Sequence, residues 1–323
     1  MAEMQAWQVA HPGPMEKVFR LTTIPKPTSL KPGQILVKVS RAALNPADYK
    51  VCELGIASRL ITSFPKIPGM DLSGRVVSVA EDVTDAKEGD LVLARASPMK
   101  AWGSLAEYTV CDREGYTVIP ETLDLDQAAG TIAPYVKSGD KVFINGGSGG
   151  VGLWGIQIAK ALGCAVTVSC STGKADLCRS LGADDIIDYK TSDVIAELKK
   201  RGQVFSHCVD NVGDAPPNLY ASSNGFLLPG SSFVFVGGHV SAKSVLSLTT
   251  NLVRPSFLGG VKAKFVTYAT ANKKKDLDQL RDWLVEGKVK TVIDSTFGFK
   301  EADKAFEHLK KGSSGGKVMI HVE

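Results

Sequence analysis

Apolar and polar residues take turns along "ILVKVSRAAL" (35–44), the period-two signature of a half-buried strand. "GRVVSVAEDV", "GDLVLAR" and "SLAEYTVCD" follow at short spacing, punctuated by glycine, proline and aspartate. The first third of the chain therefore predicts a compact β-rich barrel or sandwich. From about Asp140 the rhythm changes. "KVFING" predicts a buried strand and "GVGLWGIQIAKALG" a helix that stops at Gly163. Strand and helix then alternate through "AVTVSC", "KADLCRSLG", "DIIDY", "DVIAELKKRG", "SHCVDNVG" and "SFVFVGG". Alternation at this spacing predicts a parallel sheet with crossover helices. "KAKFVTYAT", a helix in "KDLDQLRDWLVEGKV", another in "EADKAFEHLKKG" and a last strand "KVMIHV" complete the chain.

A length of 323 residues exceeds one ordinary core, so two domains are expected. The composition is that of a soluble globular protein, with 44% hydrophobic and 22% charged residues. Its net charge of +4 is mild and evenly spread, which argues against a nucleic-acid partner. "KKK" at 273–275 reads as a solvated helix start. No apolar run approaches a bilayer span, and "MAEMQAWQVAHPGPMEK" lacks the pattern of a signal peptide. The six cysteines are scattered with no CxxC, which favours reduced, structural thiols and a cytoplasmic location.

The densest chemical signal is "INGGSGGVGLWG" (144–155). Gly147, Gly149 and Gly152 match GxGxxG between a strand and a helix, with Ser148, Gly150 and Val151 completing the turn. Such glycines make a tight turn, admit a pyrophosphate and let helix pack on strand, while the helix N-terminus offers free N–H groups. An NAD-preferring site places an acid after the second strand; here "VSCSTGKAD" offers Ser171, Thr172 and Lys174 instead. Hydroxyls and an ammonium suit a 2′-phosphate, so NADPH is the expected cofactor. Asn211, Val212, Gly213, Gly237 and Gly238 end later strands, where ligands of such sheets bind.

With "NPADYK" (45–50), "PGMDLSGRVV", "GDLVLAR", "SLAEYTV", "GGSGGVG", "STGKADLCRSLGAD" and "VDNVG" in this order, the chain resembles the medium-chain dehydrogenase/reductase superfamily. The resemblance is to its zinc-free quinone oxidoreductase and enoyl reductase branch. It implies an α/β architecture: a GroES-like β-rich catalytic domain from both chain ends around a Rossmann domain, with the active site in the cleft between them. The expected boundaries are 1–125 for the first part of the catalytic domain, 126–261 for the Rossmann domain and 262–323 for the return. The resemblance also places Tyr189 over the 2′-phosphate, and Asn45 and Tyr49 beside the nicotinamide. Zinc-dependent members carry a cysteine and a His-Glu pair where Asn45 and Met70-Asp71 stand here, and an amide and a thioether do not suit a catalytic zinc. No metal is expected. One departure stands out: "LDQAAG" runs straight into "TIAPYVKSGD", where the family has a helix of about a dozen further residues. Between Gly130 and Thr131 there is either a true deletion or a segment over which the numbering has closed; the intact flanks favour the second.

Without a metal to polarise an alcohol, conjugate reduction is the simpler chemistry. Hydride goes to the β-carbon of an enone or to a quinone, and catalysis needs orientation plus a donor at the distant oxygen. Tyr49 is the candidate proton donor and Asn45 its neighbour, while Asp48 reads as a turn cap. The expectation is an NADPH-dependent, zinc-independent reductase of quinones or activated double bonds acting on a small molecule, with a homodimer as the candidate assembly. The alternatives are a trans-acting enoyl reductase of a polyketide pathway, which would need a carrier-protein partner, and a non-catalytic NADPH-binding protein.

Overall fold

The computed structural model describes residues 2–128, 137–237, 260–267, 271–312 and 314–323. In chain order its strands are β1 (Glu3–Val9), β2 (Phe19–Pro25), β3 (Gln34–Leu44), β4 (Asp71–Val79), β5 (Leu91–Arg95), β6 (Tyr108–Asp112) and β7 (Tyr116–Ile119). The next six are β8 (Lys141–Asn145), β9 (Ala165–Cys170), β10 (Asp185–Asp188), β11 (Phe205–Asp210), β12 (Leu227–Phe235) and β13 (Lys264–Thr267). The last are β14 (Ile293–Gly298) and β15 (Lys317–His321). Helices are α1 (Met15–Val18), α2 (Pro46–Glu53), α3 (Gly150–Ala161), α4 (Ala175–Ser180), α5 (Val194–Lys200), α6 (Lys274–Val285) and α7 (Ala302–Lys310).

The chain divides into two units, one of Met1–Thr131 with Ala271–Glu323 and one of Ile132–Thr270. In the first, strands run in the order β14-β15-β3-β4-β5-β7, with β6 also paired to β3. The pairings from β15 through β3, β4 and β5 to β7 are antiparallel, as a GroES-like sheet requires. β15, from the far end of the chain, pairs with β3, so residues some 270 positions apart become neighbours, as in Val318 opposite Leu44. Only one face of such a sheet would alternate cleanly, yet β3 is buried on nearly every residue because β1, β2 and α7 cover its other side with Trp7, Phe19 and Phe306. Trp7 stacks on Phe19 at 4.6 Å, and Phe19 meets Phe306 edge-on at 5.2 Å.

The second unit is a six-stranded sheet ordered β10-β9-β8-β11-β12-β13, every pair parallel. Counted from its own first strand this is 3-2-1-4-5-6, the Rossmann order. Phe143, Phe205, Phe226 and Phe233 fill one core beneath it. The expected hand-over at residue 262 falls inside this unit, because β13 adds to β12 as the sixth strand. The misplacement has a simple origin: β13 is a four-residue edge strand whose residues are all exposed or half-buried, so it lacks the apolar run that marks its neighbours. The short connection at Gly130–Thr131 lies outside the described residues. Among the described residues no helix is long and apolar enough to cross a membrane. All six cysteines are free and buried.

Candidate active site

In the Rossmann unit the glycine loop joins β8 to α3, and each glycine has its own reason. Gly146 sits at φ +78°, and a Cβ there would meet Val212 at 2.6 Å. A Cβ on Gly147 would lie 2.6 Å from Val168, and one on Gly152 only 2.2 Å from the Gly146 carbonyl oxygen. These three are required by the protein's own packing. Gly149 is not: its φ of −78° suits any residue, and its Cβ would meet nothing nearer than 3.6 Å. The space beside Gly149 is what a pyrophosphate would fill. Gly149 also caps α3 with no side-chain bond and no acid in the first turn, so the N–H groups from Gly150 through Val151 to Gly152 begin a helix that is free to receive an anion. Ser148 is half-buried at the apex of the turn.

A buried network holds this loop in place, and the local pattern gave no hint of it. The Gly146 N–H donates to Ser169 Oγ at 2.9 Å, and that hydroxyl donates to Asn145 Oδ1 at 2.6 Å. Asn145 Nδ2 donates to Asp210 Oδ1 at 2.9 Å, and the same oxygen accepts from the Val212 and Gly213 amides at 3.0 and 3.1 Å. Burial raises the Asp210 carboxyl above the usual range, opposed by these donors. The neighbouring Asn211 amide is buried with no hydrogen-bond partner at either atom among the described residues. An orphaned buried amide at a sheet's ligand end is a group awaiting a partner. Gly237 lies just past β12, and among the described residues nothing comes within 4 Å of where its side chain would be. Gly238 lies outside the described residues.

Past β9, Ser171 leads a 3-10 turn over Thr172–Lys174. Among the described residues Lys174 makes no ion pair, so its ammonium is uncommitted. Thr172 is committed: its hydroxyl donates to Asp188 at the end of β10. That bond holds the Asp188 carboxyl below its ordinary value and brings an acid to the loop, although none stands in the local sequence before Asp176. Tyr189 follows, 50% exposed, with the Lys190 ammonium 5.5 Å from its ring centre.

In the other unit, Asn45 follows β3 and precedes α2. Its backbone N–H donates to Asp48 Oδ2 at 2.7 Å, so Asn45 is the N-cap of α2 and Asp48 takes the capping role read for it by closing the capping box from N3. Burial pushes the Asp48 carboxyl up to about 7, against the Asn45 amide that favours its ionised form. The Asn45 amide donates from Nδ2 to Asp71 Oδ2 at 2.9 Å, and its Oδ1 accepts from Lys317 Nζ at 2.8 Å. Arg95 completes this cluster, with Nε 3.6 Å from Asp71 Oδ1 and a terminal nitrogen 3.5 Å from Met70 Sδ. Although its burial disfavours charge, the ammonium and guanidinium hold the Asp71 carboxyl below the usual range. Asp71 was marked in the sequence only as a departure from a zinc site, and Lys317 and Arg95 were not singled out there at all.

Tyr49 does not join the cluster. Its ring meets Phe306 edge-on at 6.4 Å and lies 5.3 Å from the Lys310 ammonium, within the apolar core of β1, β2 and α7. Burial, then Glu53, raises its phenol further from ionisation. These contacts give Tyr49 a packing role between α2 and α7. The chemistry of the site also disfavours a zinc: the Asn45 amide and the Met70 thioether stand where a thiolate and an imidazole would be needed, with the Lys317 ammonium and the Arg95 guanidinium beside them. Among the described residues no three His, Cys, Asp or Glu side chains converge as a metal cage.

Fold and site together define a Rossmann oxidoreductase with a GroES-like catalytic domain. Residues 31–138 match the alcohol dehydrogenase GroES-like domain model, and residues 181–320 match a zinc-binding dehydrogenase model. The chain is 40% identical to the trans-enoyl reductase pgmF of Aspergillus terreus, over 99% of this chain and 96% of the relative. It is 34% identical to 2-methylene-furan-3-one reductase of Solanum lycopersicum, over 99% and 79%. The quinone oxidoreductase structure from Coxiella burnetii superposes with a TM-score of 0.82 at 28% identity, covering both chains in full. The chain belongs to the medium-chain dehydrogenase/reductase superfamily, a family of NAD(P)H-dependent oxidoreductases.

Proposed function

We propose that this protein is an NADPH-dependent, metal-independent reductase of α,β-unsaturated carbonyl compounds or quinones. The observation that carries the reading is the cluster around Asp71, where Asn45 and Met70 stand at the positions of a metal's ligands and Lys317 and Arg95 bring cations to the carboxylate. Oxidising an alcohol needs an electrophile that takes the alkoxide, whereas conjugate reduction needs only orientation and a donor at the carbonyl oxygen. A bound nicotinamide would supply the hydride. Gly149 and the α3 N-terminus would hold its pyrophosphate, with Asn211 and Gly237 along the same end of the sheet. Asn45 would face the oxygen on which charge develops, and Tyr49 would pack α2 against α7. The hydride and one proton saturate the double bond, leaving the oxidised cofactor.

The preference for NADPH rests on Ser171, the uncommitted Lys174 and Tyr189. Asp188 works the other way, so Lys174 must outweigh it. A charge-assisted hydrogen bond contributes about 1.5–3 kcal/mol, so Lys174→Ala should weaken NADPH by roughly ten- to a hundred-fold and leave NADH nearly unchanged. Fluorescence titration of both proteins with both cofactors measures this. An equal loss for the two cofactors, or a wild type that prefers NADH, overturns the preference. NADPH oxidation against a panel of enones and quinones tests the reaction, and a protein that binds NADPH but turns over none of them is a binding protein instead.

A second reading, enoyl reduction in trans on a carrier-tethered chain, is favoured by two observations. One is the likeness to trans-enoyl reductases. The other is the exposed apolar run of Leu54, Ile56 and Leu60, with Ile56 84% and Leu60 91% exposed. Faster reduction of a carrier-bound enoyl thioester than of the free thioester supports it; equal rates refute it. Six buried free thiols favour a reducing compartment such as the cytoplasm.

A further inference from the structure

Lys317 is among the most unusual residues in the catalytic unit. It opens β15 with its side chain 8% exposed, and its ammonium lies 2.8 Å from both Asp71 Oδ2 and Asn45 Oδ1. Taking an ammonium out of water costs several kcal/mol, and an apolar pair of similar volume commonly serves stability as well or better. The charges around it are also uneven. Lys317 and Arg95 bring two cations to one carboxylate, Asp71, with side chains 8%, 4% and 5% exposed. The other carboxyl nearby, Asp48, resists ionisation up to about pH 7. The cluster thus keeps an excess of positive charge in a place screened from water.

Asn45 shows where that charge can act. Lys317 holds its amide oxygen, and one amide N–H goes to Asp71. The other has only a 3.4 Å contact with the Ala43 carbonyl, too long to occupy it fully. A cation on the oxygen of an amide withdraws density from its nitrogen and makes the remaining N–H a stronger donor. We propose that Lys317 is the positioning residue of this site: it fixes and polarises the Asn45 amide, so that Asn45 presents a strengthened N–H to the oxygen that gains charge during reduction. A fixed ammonium acting through an amide then takes the place that a metal ion holds in zinc-dependent relatives. The kinetic part rests on the reductase reading; the electrostatic part does not.

Three variants test it: Lys317→Met, Asp71→Asn and the double variant. Lys317→Met should lower kcat for enone reduction by about tenfold or more with NADPH affinity unchanged, an indirect share of what an oxyanion donor contributes. It should also melt earlier, since Asp71 loses its nearest partner. The double variant has no unpaired carboxylate, so its melting temperature should return toward wild type while kcat stays low. A double variant with wild-type kcat would show that Lys317 merely neutralises Asp71, and would overturn the proposal. The second readout needs no substrate. Asp48 is flanked by Asp71, which raises its carboxyl, and by Lys317 and Lys66, which lower it. Its ionisation, followed through the pH dependence of unfolding, should move up in Lys317→Met and down in Asp71→Asn. No movement in either variant refutes Lys317 as the cluster's cation. A wild type inactive on every enone and quinone refutes the reductase reading instead, and the pH arm alone then decides whether Lys317 is the cation.

Discussion

Replacing Asp48 by Asn should make the protein progressively more stable than wild type as pH rises from 5 to 8. Asp48 is 4% exposed, and its carboxyl moves from 3.8 to about 7 on folding, chiefly through burial. The folded state therefore keeps a proton that the unfolded state releases. Below pH 4 both states hold the proton and nothing is lost. Between pH 4 and 7 the unfolded chain ionises while the folded one resists, and stability falls by about 1.4 kcal/mol per unit. Above pH 7 the whole cost, on the order of 4 kcal/mol, is in place. Asn remains neutral throughout, and its amide oxygen can still accept the Asn45 N–H, so any weakening of the cap is a constant offset. Between pH 5 and pH 8 the variant should thus gain about 3 kcal/mol on wild type, with most of the change complete by pH 7. Urea unfolding at half-unit steps of pH, followed by the fluorescence of Trp7 and the other tryptophans, measures the difference directly. A stability difference that stays flat over this range would refute a raised Asp48 carboxyl, and one that moves against the variant would reverse its sign.

Two further perturbations separate packing from ligand binding. Gly149→Ala, with only a 3.6 Å neighbour, should fold with a wild-type melting temperature yet lose NADPH affinity by tenfold or more, whereas Gly152→Ala, 2.2 Å from a backbone oxygen, should unfold earlier with or without cofactor. A Gly149→Ala protein that binds NADPH normally would move the pyrophosphate elsewhere. Tyr49→Phe should keep enone turnover within about twofold, because the ring packs on Phe306; a loss near the 100-fold typical of a general acid would restore Tyr49 as the proton donor.

What could be read from the chain was whatever the physics writes locally. Strand-helix alternation from Asp140 follows from side-chain periodicity within a dozen residues, and the glycine loop follows from sterics within six. Both led to the Rossmann sheet and its glycine turn. The edge strand β13 has too few buried residues to show a period, so the return to the catalytic domain was placed too early. Asp188 escaped notice for another reason: it reaches Thr172 from the next parallel strand, sixteen residues on, across a pairing that periodicity alone does not register.

The cluster around Asp71 lies beyond local reading altogether. Asn45 and Lys317 are 272 residues apart, and Asp71 and Lys317 are 246 apart. Only the antiparallel pairing of β15 with β3, and of β3 with β4, brings them together. Asn45 and Asp71 could be marked as departures from a metal site, because the comparison is position by position. What replaced the metal could not, since a lysine opening the final strand resembles any surface lysine until its neighbours are known. The same topology explains why the replacement can work. β15 is buried on four of its five residues, paired on both edges by β14 and β3 and packed on α7, so the buried Lys317 ammonium arrives with little freedom left to lose. A cation fixed in this way is pre-ordered before substrate binds, and that pre-ordering is what a metal would otherwise contribute.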